Sequence, residues 1–221
     1  MSDVRGVLFD FGNTLFSHPS LAETISAVCV RVGQPQSSEW AAGLAAQVEA
    51  AAHTAEELLH PRDLDPEVWW SRWHVLYALA DDEIPGLGAA IYDAMHDPLQ
   101  WRPYTAARST LARIHAAGVP IAIVSNTGWD VRAAFVAHDL DQFVDTFVLS
   151  YEVGAVKPDA RVFLAACDAL GVGADMCLMV GDDPRADSGA VAAGLRVLLL
   201  PAMSPGSDNG VGITARIVLG E

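Results

Sequence analysis

The sequence predicts an α/β fold, a doubly wound parallel sheet that is interrupted after its first strand by an all-helical segment. Three observations predict it. Short apolar runs of strand length each end in small or acidic residues, helical patterns alternate with these runs from residue 105 onwards, and residues 16–100 contain no convincing strand. Apolar runs of this kind are typical of strands that are buried on both faces, as they are in a parallel sheet.

Five runs are expected to form the sheet. Residues 7–9, 119–124 and 177–180 are the clearest, and residues 147–149 and 196–200 are weaker runs that fit the same sheet. Helices are expected after residue 105 over residues 106–117, 129–138, 159–170 and 184–193. The alternation of strand and helix indicates right-handed crossovers. The turn-rich stretch from residue 201 to residue 210 is expected to be a surface loop.

The segment from residue 16 to residue 100 is predicted to be a separate helical lobe. Its helices are expected over residues 20–32, 38–59, 66–80 and 84–96, with prolines at the breaks. It holds 13 acidic residues and three arginines, and so it carries most of the net charge of −15. The predicted domains are therefore a core of residues 1–15 and 101–221 and a helical insertion of residues 16–100.

The composition excludes several classes of function. The net charge of −15 argues against a nucleic acid or an anionic membrane as the partner, because such binding needs clustered lysine and arginine. Three cysteines without a CxxC pair predict neither a zinc site nor a disulfide framework. Because the N-terminus shows no signal pattern and no apolar run has membrane-spanning length, we expect a cytoplasmic protein without membrane contact.

Polar residues follow three of the predicted strands at the point where each strand ends. Asp10, Ser125 and Asp182 lie there, and an open parallel sheet binds its ligands beyond the carboxyl ends of the strands. A carboxylate at the end of an apolar strand is costly to bury without a cation, and Asp183 and Asp187 add further negative charge. Such an oxygen-only set suits Mg²⁺. The alternative is helix capping, above all for Asp183.

Lys157 is the only lysine among 13 basic residues. A chain that otherwise uses arginine keeps a lysine where a compact ammonium is needed, unless this is simply a surface lysine. Ser125 and Asn126 offer a hydroxyl and backbone amides at a strand-to-helix turn, which suits an anion, although a turn or a helix cap would use the same residues. Together these residues favour a small anionic ligand.

Four segments carry a family resemblance: VLFDFGNTL, IAIVSNTG, GAVKPDARVF and LMVGDDPRADSGAVAAG, in this order. They resemble the four ordered motifs of the haloacid dehalogenase-like (HAD) hydrolase superfamily, in the branch that inserts a helical cap between the first and second motifs. The resemblance covers the chain to about Leu200 and implies a Rossmann-like core with residues 16–100 as the cap. It also implies a hydrolase that acts on a small phosphorylated metabolite, as a monomer or a homodimer.

The resemblance implies a role in catalysis for three residues. Asp10 would be the nucleophile that forms an aspartyl phosphate, since a carboxylate can act in covalent catalysis. Ser125 would hydrogen-bond the phosphoryl oxygens, and Lys157 would balance the charge of the phosphate and keep Asp10 ionised. The further residues expected to contact the substrate are Asn126, Thr14 and Trp129.

The resemblance also implies a magnesium site. Mg²⁺ would be held by Asp10, Asp182 and the backbone carbonyl of Gly12. Asp187, together with Asp183, would orient the water around the metal without binding it directly.

Gly12 departs from the family pattern, because phosphatases of the superfamily usually have an aspartate there as general acid and base. Loss of proton transfer costs about 10²–10⁴-fold in rate. We therefore expect a phosphatase that is slow or selective for good leaving groups, unless His18 supplies the proton; a plain surface role for His18 is the alternative. Aryl phosphates should then be hydrolysed much faster than alkyl phosphates.

Other functions remain open on the same scaffold. A 2-haloacid dehalogenase also uses an aspartate nucleophile and a cap, but it needs no metal, so Asp182, Asp183 and Asp187 favour the phosphatase. Phosphonate cleavage through a Schiff base is disfavoured, because the one lysine already belongs to the third motif. The third alternative is a weak or inactive binding or regulatory protein, with Gly12 marking the lost turnover.

The cap is expected to select the substrate. Trp69 and Trp73 are four residues apart and would share a helix face, either in the interior of the cap or as an aromatic wall of the pocket. Trp101 lies at the expected hinge. Arg62 and Arg72 are the cap's candidates for binding a second anionic group.

Overall fold

The computed structural model describes residues 3–221, so that Met1 and Ser2 of the predicted core lie outside the described residues. In chain order the strands are β1 Gly6–Phe9, β2 Phe16–Ser17, β3 Arg102–Pro103, β4 Ile121–Ser125, β5 Thr146–Leu149, β6 Cys177–Gly181 and β7 Arg196–Leu199. The helices are α1 Leu21–Arg31, α2 Ser38–Ala52, α3 Pro66–Tyr77, α4 Leu87–Met95, α5 Ala107–Ala116, α6 Arg132–Ala137, α7 Ser150–Val153, α8 Ala160–Leu170 and α9 Gly212–Leu219. Over the described range, none of them is long and apolar enough to cross a membrane.

The central sheet is parallel and has the strand order β5-β4-β1-β6-β7. Its strands are the five that the apolar runs predict, with small shifts at their ends. After β1 the chain adds strands first on one side and then on the other, so the direction of winding reverses between β1 and β6. Open α/β sheets bind ligands at such a switch point. The predicted doubly wound fold is confirmed, and it places Asp10 and Asp182, which follow β1 and β6, on neighbouring strands.

Helices cover both faces of the sheet, as its apolar strands require. In β1, Val7 and Phe9 belong to one buried cluster together with residues of α5, α6 and α9. Leu8 belongs to the cluster on the opposite face, together with residues of α8. Because successive side chains of a strand point to opposite faces, one apolar strand supplies two interior layers.

The helix expected over residues 184–193 is wrong in type, since the chain forms a 3-10 helix there, at Asp187–Val191. The side chain of Asp187 folds back onto two backbone amides of the preceding loop. Gly189 packs so closely on Pro158 that a Cβ at this glycine would lie 2.4 Å from the Pro158 Cβ. These two contacts draw the segment into tight turns. The sequence patterns also leave out α9, which packs beside α5.

Residues 16–100, the segment expected to be the cap and called the cap below, contain α1 to α4, which surround an interior of their own. Each helix contributes buried side chains, among them Ile25, Leu44, Leu76 and Ile91. Two helices end earlier than expected, α2 at Ala52 and α3 at Tyr77, and 3-10 helices follow them at Glu57–Leu59 and Ala78–Ala80.

Two short strands join the cap to the core. β2 and β3 pair in antiparallel fashion, with Phe16 opposite Pro103 and Ser17 opposite Arg102. β2 corrects the expectation that residues 16–100 contain no strand. Two residues are too few to show a period of two, so this strand has no pattern in the sequence. The pairing brings both connections of the cap to one place beside the sheet.

Candidate active site

The carboxyl ends of three neighbouring strands meet at one pocket. It has a volume of about 490 Å³, lies between the sheet edge and the cap, and is lined by Asp10, Ser125, Lys157 and Asp182. These residues lie far apart in the sequence, and the strand order β4-β1-β6 brings three of them together. The structure therefore has the convergence of polar groups that the strand ends predict.

Lys157 is buried and paired, so it is no surface lysine. Its Nζ donates hydrogen bonds to Asp10 Oδ1 at 2.5 Å and to Asp187 Oδ1 at 2.7 Å. Burial alone would lower the pKa of Lys157, but the two carboxylates outweigh this effect and raise the pKa above its ordinary value. The side chain is therefore held as an ammonium beside Asp10.

Asp10 lies in an environment with too much negative charge. Burial raises the pKa of Asp10 to about 7, Lys157 opposes this shift, and the carboxylates of Asp187 and Asp182 add to it. Oxygen atoms of these three aspartates lie within 4.8 Å of one another. One ammonium cannot balance three carboxylates, but the ammonium and a divalent cation together carry three positive charges and can. The oxygen-only donor set fits Mg²⁺, and Gly12 lines the same pocket.

Asp187 is fully buried and both of its oxygens are occupied. Oδ1 accepts from Lys157, and Oδ2 accepts the backbone N–H groups of Asp182 and Asp183, each at 3.0 Å. Gly181 leaves room for this carboxylate, since a Cβ there would lie 2.1 Å from Asp187 Oδ2. Asp187 thus fixes the loop after β6 and the ammonium together.

Asp183 is exposed at the rim of the pocket and caps the turn that follows it. Its Oδ1 accepts the backbone N–H groups of Arg185 at 2.7 Å and Ala186 at 3.3 Å. This arrangement matches the capping alternative that the sequence leaves open.

Thr14 and Asn126 hold other groups of the site in place, and Asn126 also lines the pocket. Thr14 Oγ1 donates to Asp182 Oδ1 at 3.2 Å and lies 3.5 Å from Asp10 Oδ2; it is fully buried and does not line the pocket. The side chain of Asn126 binds the backbone of Lys157 twice, at 3.0 Å and 2.7 Å. Ser125 differs, because its hydroxyl has no hydrogen bond to any residue between 3 and 221 and it lines the pocket. Its hydroxyl is therefore available to a ligand.

Aromatic side chains form the rest of the pocket wall. Trp69, Trp73 and Tyr77 of α3 line it from the cap, and Trp101 and Trp129 line it from the core side. Trp73 also packs against the cap interior, so this tryptophan belongs both to the interior of the cap and to the wall of the pocket. This wall faces the carboxyl end of the sheet.

The cap contacts the core directly beside the site, at residues that the sequence patterns do not single out. Ser150, which is buried, donates from its hydroxyl to the backbone carbonyl of Asp63. Gly128 lies against Trp69, and a Cβ at this glycine would be 2.4 Å from the Trp69 Cβ. The glycine that ends the second motif was the one signal in the sequence for this close approach.

Three other candidates lie away from the pocket. His18 contacts the carbonyl oxygens of Pro19 at 2.7 Å and Ala94 at 3.4 Å and does not line the pocket. Arg72 pairs with Glu57, and Arg62 lies between Glu57 and the ring of Trp73. The structure therefore gives His18 no position for proton transfer and gives the two arginines no position for a second anionic group.

The comparisons identify the family. A family model for haloacid dehalogenase-like hydrolases matches residues 4–194. The match covers most of the chain and all four motifs, so the chain belongs to this family.

Relatives and solved structures of this family include both phosphatases and dehalogenases. Glyceraldehyde 3-phosphate phosphatase of Methanopyrus kandleri is 26% identical over 233 residues, which cover 94% of this chain and 91% of that protein. Phosphoserine phosphatase of Thermus thermophilus is 36% identical over 97 residues, which cover 43% of this chain and only 39% of that protein. A solved dehalogenase with an intermediate complex has a TM-score of 0.68 at 22% identity, covering 96% of this chain and 91% of that one. At this identity the structural likeness shows the shared fold.

Proposed function

We propose that the protein is a magnesium-dependent phosphatase that hydrolyses a small phosphomonoester through an aspartyl phosphate on Asp10. The observation that carries this proposal is the buried Lys157 ammonium between Asp10 and Asp187, with Asp182 beside them. Phosphoryl transfer needs a placed nucleophile and balanced charge more than it needs covalent chemistry from the protein. The phosphatase names of two relatives agree with the proposal.

The side chains divide the reaction as follows. Lys157 opposes the rise in the pKa of Asp10 and neutralises charge on the phosphoryl group, while the free hydroxyl of Ser125 donates to one of its oxygens. The Asp10 carboxylate attacks phosphorus, the ester P–O bond breaks, and the alcohol leaves with a proton from water. A water molecule then attacks the aspartyl phosphate, releasing phosphate and restoring Asp10. Mg²⁺, held by Asp10, Asp182 and the Gly12 carbonyl, would supply positive charge to the phosphoryl oxygens.

The charge of the pocket favours a phosphatase over a dehalogenase. The described residues that line it include five aspartates and one lysine, with no arginine. A haloacid carries a carboxylate of its own, and without a metal this pocket would repel it. With a divalent cation held by the same aspartates, the pocket would attract the negatively charged phosphate of an ester.

The test is release of inorganic phosphate from a panel of phosphomonoesters. Turnover should require Mg²⁺, stop with a chelator, and fall by about 10³-fold or more in Asp10→Asn, because the nucleophile is lost. Asp93→Asn, an exposed aspartate of α4, is the matched control and should retain full activity.

Two results would contradict the proposal. Chloride release from 2-chloropropionate in the presence of a chelator would make the protein a dehalogenase. Binding of Mg²⁺ and a phosphate analogue without turnover of any ester on a broad panel would make it a binding protein on a hydrolase scaffold.

A further inference from the structure

Much of the pocket lining is aromatic. The ring centroids of Trp69 and Trp73 lie 5.7 Å apart, and those of Trp101 and Trp129 lie 6.1 Å apart. His96 joins the two pairs, with its ring 5.9 Å from Trp69 and 5.3 Å from Trp129. The rings thus form one continuous aromatic wall of the pocket. A wall of this kind offers face and edge contacts to a flat apolar group.

The same wall offers no positive charge. His96 Nε2 accepts a hydrogen bond from Trp69 Nε1 at 2.8 Å, and burial lowers the pKa of His96, so its imidazole is neutral. Among the described residues that line the pocket, the cap supplies one ionisable acid, Asp63, and neither lysine nor arginine. Burial raises the pKa of Asp63, and in neither protonation state does it offer positive charge to a second anion.

The cations of the cap are bound elsewhere. Arg72 donates to both oxygens of the Glu57 carboxylate, and the Arg62 guanidinium lies 5.0 Å from the centre of the Trp73 ring. Arg62 also donates to the backbone carbonyl of Ala52 at 3.2 Å. Within the pocket, the one full positive charge from the described chain is therefore Lys157, which faces Asp10. An anionic group on the organic portion would be desolvated without a cation to pair with, which is costly.

We propose that the substrate is a phosphomonoester whose organic portion is an aromatic ring system and whose phosphate is its only anionic group. This inference rests on the proposed phosphatase function and narrows it. Sugar bisphosphates and phosphorylated carboxylic acids are then poor substrates, because they would bring a second anion to a wall of indole rings and Asp63. Stacking on the wall, by contrast, orients the ester without any charged contact.

The experiment compares three esters of primary alcohols: benzyl phosphate, propyl phosphate and 4-carboxybenzyl phosphate. Since each releases a primary alkoxide, the comparison separates recognition of the ring from the acidity of the leaving group. We expect kcat/KM for benzyl phosphate to exceed that of propyl phosphate by about tenfold or more, and the added carboxylate to reduce it by a similar factor. Equal values for benzyl and propyl phosphate, or for benzyl and 4-carboxybenzyl phosphate, would overturn the inference.

Variants locate the effect on the wall. Trp73→Leu and Trp129→Leu, from opposite sides of the pocket, should each reduce the preference for benzyl over propyl phosphate, mainly through KM. Trp70→Leu is the matched control, because Trp70 lies on the same helix with 55% of its surface exposed and outside this pocket. The control should keep the full preference. Loss of the preference in Trp70→Leu alone would argue against the wall.

A binding measurement separates this inference from the proposed function. Benzylphosphonate and propylphosphonate cannot be hydrolysed at an ester bond, and their affinities can be compared by calorimetry in Mg²⁺. If no ester is turned over, the proposed phosphatase is contradicted, and tighter binding of benzylphosphonate still supports an aromatic ligand. If esters are turned over but the two phosphonates bind equally, the phosphatase stands and the aromatic inference is wrong.

Discussion

Gly12 stands where the resemblance to the superfamily's phosphatases leads us to expect an aspartate, and the structure shows what lies beside it. The indole of Trp101 lies over this glycine, and a Cβ there would meet the ring at 3.6 Å, an ordinary van der Waals distance. A Cβ at position 12 therefore fits without a shift of the indole, and the rest of a side chain there would share the pocket with the ring. In the proposed phosphatase, Asp10, Lys157 and Asp182 would therefore act without a carboxyl group at position 12.

Restoring an acid at this position should restore proton transfer. Gly12→Asp is expected to raise kcat for propyl phosphate about tenfold, below the 10²–10⁴-fold of a well-placed acid, because the neighbouring Trp101 indole restricts where the new carboxyl group can lie. Gly12→Asn is the control, because asparagine has nearly the same size as aspartate and no acidic group. Steady-state rates on propyl and 4-nitrophenyl phosphate check this, and the aspartate should narrow the difference between the two esters. If Gly12→Asp is no faster than Gly12→Asn, the missing acid is not what limits turnover.

Sequence reasoning finds the residues whose chemistry is visible locally. Asp10 and Asp182 each follow a buried strand, and Lys157 is conspicuous as the one lysine. It does not find Asp63 or Ser150, because their roles arise only when the cap meets the core. No local sequence pattern identifies a backbone carbonyl, such as that of Asp63, that accepts a hydrogen bond from a side chain distant in the sequence, such as that of Ser150.

At the scale of elements, α3 and the turn before it meet the core at two contacts beside the site. The turn before α3 presents the carbonyl of Asp63 to Ser150, and the first turn of the helix presses Trp69 onto Gly128. Trp69 also belongs to the pocket wall. The contact of Trp69 with Gly128 therefore positions both the cap and this part of the wall.

A single methyl group at this contact should separate cap from core without unfolding either. In Gly128→Ala the new Cβ would overlap Trp69 and the carbonyl of Arg62 at 2.5 Å, so α3 must move outward. We expect kcat/KM to fall about tenfold or more while the thermal midpoint changes little, since cap and core have separate interiors. Gly43→Ala in α2, where nothing lies within 4 Å, is the control and should be fully active. Normal activity in Gly128→Ala would show that the contact between cap and core at this glycine does not control the activity of the site.

The elements divide into those with a sequence period and those without one. α1, α4, α5 and α8 show the apolar stripe of a helix, and the buried strands show short apolar runs, so their existence and order are predictable. β2, β3 and the 3-10 helix at Asp187–Val191 are too short for a period, and they form because distant residues pack on them.

Across the whole molecule, negative charge is distributed in two different ways. Most of the net charge of −15 lies on the cap, where exposed carboxylates are solvated. A few carboxylates are instead buried at the sheet edge, where burial raises the pKa of Asp10 and of Asp182. The buried carboxylates therefore lower the stability of the folded chain until a cation is bound.

This cost predicts how stability depends on pH in the metal-free protein. The pKa of Asp10 is about 7 in the folded chain and 3.8 as its ordinary value, so between these pH values the folded state binds a proton that the unfolded state has lost. The free energy of unfolding should therefore fall as pH rises through this window and level off above it. Each pKa unit corresponds to about 1.4 kcal/mol, so the loss from Asp10 alone is at most a few kcal/mol.

Chemical denaturation at pH 5 and pH 8 in a chelator measures the loss, and Asp10→Asn should remove most of it, whereas Asp93→Asn should not. At pH 8, Mg²⁺ should raise the stability of the native chain, since a ligand that binds only the folded state stabilises it. It should raise that of Asp10→Asn much less. A pH dependence that is the same in Asp10→Asn and in the native chain would show that the buried carboxylate is not the source, and with it the charge argument for the cation would fail.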